Sequence, residues 1–165
     1  MGSEANIVLT GFMGAGKSTT GRAVARALGR EFVDMDEIIA QRAGASIAEQ
    51  FAREGEAAFR ARERELVKEL AARQGLVIAT GGGALVDAAN REAFERSGAV
   101  IICLDAEPNE LTCRLRGDNG RPMLWGDDPA ARLRELLAAR RVAYAQIAHH
   151  IDTTRRAPEQ VAEEA

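Results

Sequence analysis

Gly11-Phe12-Met13-Gly14-Ala15-Gly16-Lys17-Ser18 fills every fixed position of the pattern G-x-x-x-x-G-K-[ST]. An apolar run over 6–10 precedes it and a helical pattern follows it, the strand–loop–helix setting in which that pattern cradles phosphate. The glycines let the backbone turn tightly and aim its N–H groups at phosphate oxygens, and the helix N-terminus adds partial positive charge. In this arrangement Lys17 reaches the β- and γ-phosphates of a nucleotide, and the Ser18 hydroxyl is placed to ligate Mg²⁺.

The rest of the chain reads as an α/β protein built outward from that loop. Strands are expected at 6–10, 31–33, 76–80, 99–104 and 149–153. The central ones are continuous Val/Ile/Leu runs, as in parallel strands buried on both faces. Helices carry their own punctuation. One over 17–28 stops at Gly29, and the Ser46-Ile47-Ala48-Glu49 capping box opens a short helix that stops near Gly55. A long charged helix is expected over 56–74, another over 87–97, and one from Asp128-Pro129 to about Ala148. The acidic tail 159–165 fits either a last helical turn or a frayed end.

The 165 residues fit one domain, 1–165. A net charge of −3 argues against a broad basic face for nucleic acid. Cys103 and Cys113 match no zinc spacing and no disulfide framework. Neither a signal peptide nor a membrane span is read, so the expectation is a monomer in the reducing cytoplasm, with no nucleic-acid or membrane partner.

A metal carboxylate must be found, because the third strand runs into Gly81-Gly82-Gly83 where other phosphate-loop proteins place an Asp. Val33-Asp34-Met35-Asp36 supplies two carboxylates just past the second strand, on the same rim as the loop. Either Asp also suits the N-cap of a helix over 37–42, and the two roles are compatible. The three glycines suit close approach of a ligand or a plain helix entry. The Gly/Asn/Asp/Pro-rich stretch 117–126 with Arg121 fits a surface loop or a mobile lid. His149 and His150 read as structural.

Taken in order, Gly11–Thr19 as Gly-x-x-Gly-x-Gly-Lys-Ser-Thr, Asp34-x-Asp36, Phe59-Arg60 followed by Glu63, Thr80-Gly81-Gly82-Gly83, Arg121-Pro122, and Arg140 with Tyr144 resemble the shikimate kinase family over essentially the whole chain. The resemblance implies a five-stranded parallel sheet of order 2-3-1-4-5 in a three-layer α/β/α fold, with a substrate-binding excursion at about 34–62 and a lid at about 113–126. It implies ATP as co-substrate, with Gly14, Ala15, Gly16, Lys17, Ser18 and Thr19 on its phosphates and Arg114 and Pro158 at the adenine. Ser18 and Asp34 would serve Mg²⁺, Asp34 through water. Asp36 would hold the hydroxyls of shikimate and accept a proton. Arg60 and Arg140 would clamp its carboxylate, with Gly81, Gly82 and Gly83 positioning the ring and Arg121 closing onto the phosphates. Lys17, Asp36 and Arg121 would be the catalytic set.

An Arg clamp makes sense on its own terms, since the guanidinium fork matches a carboxylate bidentately. Arg60 also has an ordinary alternative, an i,i+3 pair with Glu63. The chain departs from the family at Arg140-Arg141-Val142-Ala143-Tyr144, where Arg-x-Pro-Leu-Tyr is the rule. Without the Pro the helix is expected to continue straighter; Arg141 stands beside Arg140 as the other candidate to face the site, and the motif alignment favours Arg140. In the lid, Arg121-Pro122-Met123-Leu124-Trp125 replaces Arg-Pro-Leu-Leu, and Trp125 is expected to pack the closed lid. Other readings of the residues are a gluconate or nucleoside monophosphate kinase, or a nucleotide-binding protein without turnover. A GTPase would need Asn-Lys-x-Asp, which is absent.

Overall fold

The computed structural model of the protein describes residues 4–116 and 120–165. Its five strands, β1 (Ile7–Gly11), β2 (Glu31–Asp34), β3 (Leu76–Ala79), β4 (Val100–Asp105) and β5 (His149–Asp152), form one sheet of order β2-β3-β1-β4-β5. All pairs are parallel, with β1 between β3 and β4. The strand edges differ by about one residue from the sequence expectation, and Asn6 shows why. It is not a strand residue but a clasp: its amide donates to Leu70 O and Arg73 O and accepts from Leu76 N. That ties the entry of β1 to the exit of a helix sixty residues on.

The helices are α1 (Lys17–Leu28), α2 (Met35–Ala43), α3 (Ile47–Ala71), α4 (Ala88–Arg96), α5 (Pro108–Arg114), α6 (Pro129–Tyr144) and α7 (Pro158–Glu164), with 3₁₀ turns at Ala84–Val86 and Pro122–Leu124. β3 shows the layering. Val77 packs with Val24 and Ala25 of α1 and with Ala162 of α7, whereas Leu76 and Ile78 join Leu66, Val67, Leu70 and Phe94 of α3 and α4. Successive side chains of a strand point to opposite faces, so a strand covered by helices on both sides must be apolar throughout. All of β3 is buried.

Two expectations are corrected. The helix expected over 56–74 and the short one before it are a single run, Ile47–Ala71, bent at Gly55, whose φ of 81° and ψ of 176° are not helical. Only glycine adopts that conformation readily, so the sequence's stop signal became a kink rather than an end. α6 ends at Tyr144, four residues early, because Ile147 turns inward to the core. Of the two readings of the acidic tail the helical one holds: it is α7, packed on α1 with Ala162 against Val24 and Ala25. The helix expected over 37–42, with either Asp as its cap, is α2, which starts at Met35 and is capped by Asp34.

Candidate active site

The phosphate loop occupies the space between the end of β1 and the start of α1. Gly11 (φ 139°) passes so close to β4 that a Cβ there would lie 2.4 Å from Leu104 O, which excludes any side chain. The Lys17 Nζ folds back and donates to Gly11 O (2.9 Å) and Phe12 O (3.0 Å). Burial lowers its pKa to about 8, partly offset by Asp36.

Asp34 uses its two oxygens for different contacts. Its Oδ1 accepts from Asp36 N (3.0 Å) and Glu37 N (3.3 Å), capping α2. Its Oδ2 accepts the hydroxyl of Ser18. The pair is a set of hard oxygen donors beside the phosphate loop, the ligand type Mg²⁺ requires. Asp36 does not cap; its side chain is buried next to Lys17, and that burial raises its pKa against the pull of Lys17.

A cleft of about 540 Å³ runs over the loop. Gly14 through Thr19 form its floor, with Asp34, Asp36, Arg114, Arg121 and Pro158 on its walls. Arg114 bridges two elements here, donating to Gly14 O (3.0 Å), Thr153 Oγ1 (3.3 Å) and Thr153 O (2.9 Å). Thr153 and Arg156 also line this cleft. They escaped the sequence reading because nothing local marks the turn after β5.

A second cavity of about 180 Å³ adjoins the first. It brings together Asp36, Arg60, Gly81, Gly82, Gly83, Arg121 and Arg140. Asp36, Gly82, Arg121 and Met13 line both spaces, so the two meet at Asp36 and Arg121. The open choice at the end of α6 falls to Arg140, which is buried while Arg141 is exposed. The helix continues unbroken through Val142. Residues 133, 140 and 144 then share its inward face at helical spacing, and all three are buried.

The glycines at 81–83 are explained by what stands against them. A Cβ on Gly83 would lie 2.5 Å from Nη2 of Arg60, and one on Gly82 would lie 3.1 Å from Nη1 of Arg140. The Gly82 carbonyl accepts from the Tyr144 hydroxyl at 2.6 Å. Burial raises that phenol's pKa to about 12, so it stays a donor.

Arg60 makes the expected pair with Glu63 (2.9 Å) and also lines the cavity, so the two readings of Arg60 are not exclusive. Glu63 is 1% exposed, and burial raises its pKa against the pull of Arg60. Phe12 and Phe59 support the guanidinium groups, with Arg140 Cζ 5.4 Å and Arg60 Cζ 5.5 Å from their respective ring centroids. Glu63 and Tyr144 belonged to the sequence motif without an assigned role, and their spacing from the arginines on the same helix faces was the available signal.

Buried polar atoms without a partner are rare in folded proteins and call for a ligand or water. Among the described residues these are Thr10 Oγ1, Asp36 Oδ1, Glu63 Oε2 and Arg140 Nη1. Three of the four belong to residues lining the smaller cavity. One is a cationic donor and two are carboxylate acceptors, which suits a small molecule carrying both a carboxylate and hydroxyl groups. Trp125, expected to pack the lid, is 50% exposed instead. Residues 117–119 of the expected lid lie outside the described residues.

A nucleotide cleft opening into a separate pocket for a small polar acid defines a small-molecule kinase of the phosphate-loop class. Comparison with known proteins narrows the class. The family model for shikimate kinase matches residues 13–165. A shikimate kinase of Symbiobacterium thermophilum is 52% identical over 162 residues, covering 96% of this chain and 92% of that protein. The solved structure of shikimate kinase from Acinetobacter baumannii in complex with shikimate is 40% identical and superposes with a TM-score of 0.92, covering 97% of this chain and 89% of that one. A gluconokinase from Sinorhizobium meliloti superposes at 0.60 with 17% identity, covering 99% of this chain and 90% of that one, a likeness of fold alone. The chain belongs to the shikimate kinase family.

Proposed function

We propose that this chain transfers the γ-phosphoryl group of ATP to the 3-hydroxyl of shikimate. The observation that carries the reading is the set of orphaned atoms around one small cavity, a donor on Arg140 and acceptors on Asp36 and Glu63, next to the phosphate loop. Arg60 and Arg140 hold the substrate carboxylate. Asp36, and Glu63 behind it, accept hydrogen bonds from ring hydroxyls. This fixes one hydroxyl at the junction of the two cavities, where Asp36 lines both.

The phosphates lie on the backbone of Gly14–Thr19, and Lys17 leaves the Gly11 and Phe12 carbonyls to meet them. Ser18 and Asp34 would hold Mg²⁺, which would supply positive charge to offset the phosphates. Phosphoryl transfer through a loose transition state asks chiefly for alignment and for cations where charge develops. Lys17 and Arg121 are the protein's own cations there. Asp36 takes the hydroxyl proton, and its raised pKa suits that role once the oxygen is attached to phosphorus. Residues 34–62 carry the substrate side of the pocket and residues 113–126 close over it, bringing Arg121 onto the phosphates. One chain supplies every group named, so the reaction needs no second copy.

The test is ADP release from Mg-ATP with and without shikimate. Strong stimulation by shikimate is expected; stimulation by gluconate or a nucleoside monophosphate, and none by shikimate, would overturn the reading.

A further inference from the structure

Away from both cavities, at the ends of β4 and β5, three side chains with metal-binding atoms meet. Cys103 and Asp105 are two residues apart on β4, so their side chains leave the same face of the sheet. His150 is the register partner of Cys103 on β5. The Cys103 Sγ, a carboxylate oxygen of Asp105 and a ring nitrogen of His150 all lie within 4.8 Å of one another. The carboxylate spans the group, with Oδ1 3.6 Å from Sγ and Oδ2 2.7 Å from Nδ1 of His150.

The imidazole narrows what can sit there. Its Nε2 lies 3.0 Å from the carbonyl oxygen of Ile147, an acceptor only, so Nε2 carries a hydrogen. Nδ1 then faces the carboxylate oxygen, lone pair toward lone pair. Two acceptors at that distance need a cation between them. A proton is one solution. At 2.7 Å the proton fits; a metal ion takes its place when the pair opens to about 3.3 Å, the span of two roughly 2.0 Å bonds at a tetrahedral angle, and the thiol beside the same carboxylate gives it a third ligand that a proton has no use for. A backbone carbonyl behind the ligating imidazole is the arrangement that orients histidine at metal sites. The mixed sulfur, nitrogen and oxygen set favours zinc or cobalt over magnesium.

We propose that Cys103, Asp105 and His150 form a binding site for a zinc-class divalent ion, with water as its fourth ligand. The ion approaches through Asp105 and His150, whose side chains are 47% and 34% exposed, and reaches the buried Cys103 behind them. Binding exchanges the S–H bond for a sulfur–metal bond and displaces the proton between His150 and Asp105, so both protons leave to solvent with no change of oxidation state. The site is not isolated from the nucleotide cleft. The Asp105 carbonyl accepts from Thr153 N (2.7 Å) and Thr153 Oγ1 (2.9 Å), and Thr153 lines that cleft.

The test titrates the full chain with Co²⁺ in excess Mg²⁺ and ADP, which keep the phosphate-loop site filled. Expected are one equivalent of bound cobalt, a thiolate-to-cobalt charge-transfer band, two protons released, and displacement by Zn²⁺. His150→Gln and Asp105→Asn should each weaken binding by about tenfold or more, and Cys103→Ser should remove the band. Should Cys103→Ser fail to fold, His150→Gln, at an exposed ring, still decides. No charge-transfer band, or one unchanged in His150→Gln, overturns the proposal and leaves a plain imidazolium–carboxylate pair.

Discussion

Asp36 and Glu63 converge on the bare α-carbon of Gly81: a methyl group there would lie 2.9 Å from Oδ1 of Asp36 and 2.9 Å from Oε2 of Glu63. Both oxygens are buried without a protein partner, and the proposed function gives this space to the acceptor substrate. Gly81→Ala should therefore cut kcat/KM for shikimate by roughly tenfold to a hundredfold, the scale of a small misplacement at a reacting centre. Affinity for ADP, measured by calorimetry, should move by less than about threefold on the same reasoning. Equal losses on both substrates would contradict the assignment of this space.

Arg60→Lys keeps the charge and loses the fork. Arg60 holds Glu63 at 2.9 Å and stands against Gly83, positions that a single ammonium cannot fill together. The shikimate KM should rise by about tenfold or more, with the ATP KM changed by no more than about twofold. Steady-state kinetics with each substrate varied in turn reads this directly.

Lys17 links pH to both activity and stability, with opposite signs. Its pKa is lowered from 10.5 to about 8 by burial, partly offset by Asp36. Above pH 8 the free enzyme loses the charge that meets the phosphates, so kcat/KM for ATP should fall, approaching tenfold per pH unit. Across the same window up to 10.5 the unfolded chain binds the extra proton, so this residue's contribution to stability rises with pH. Denaturation of wild type and Lys17→Met should show the difference growing in favour of wild type from pH 8 to 10.5. An ATP profile flat to pH 10 would reject the buried-lysine account.

Gly55 bends α3 at a φ of 81° and ψ of 176° with open space around it. Gly55→Ala meets no clash, only backbone strain, and should cost about 1–3 kcal/mol. The melting temperature should drop by roughly 2–10 °C. Because Ile47 and Phe51 lie before the bend and line the small cavity, the shikimate KM should rise as well. A straightened helix with an unchanged KM would detach that segment from substrate binding.

The sequence by itself determined what depends on near neighbours. The phosphate loop, the capping box at Ser46, the Asp128-Pro129 entry and the apolar strands are each written in a few consecutive residues, because local hydrogen bonds and side-chain alternation govern them. The family motif carried the site residues into one list without placing them in space. Tertiary structure decided what depends on atoms far apart in the chain. Asp34 could be read as a cap or a metal carboxylate, and only the fold shows one oxygen capping α2 and the other meeting Ser18. Arg140 and Arg141 are equivalent as letters; the phase of α6 against Phe12 and Gly82 buries one and exposes the other. The orphaned atoms of Asp36, Glu63 and Arg140 exist only once three helices close on one cavity, since a polar group lacks a partner only where the fold has removed water from it.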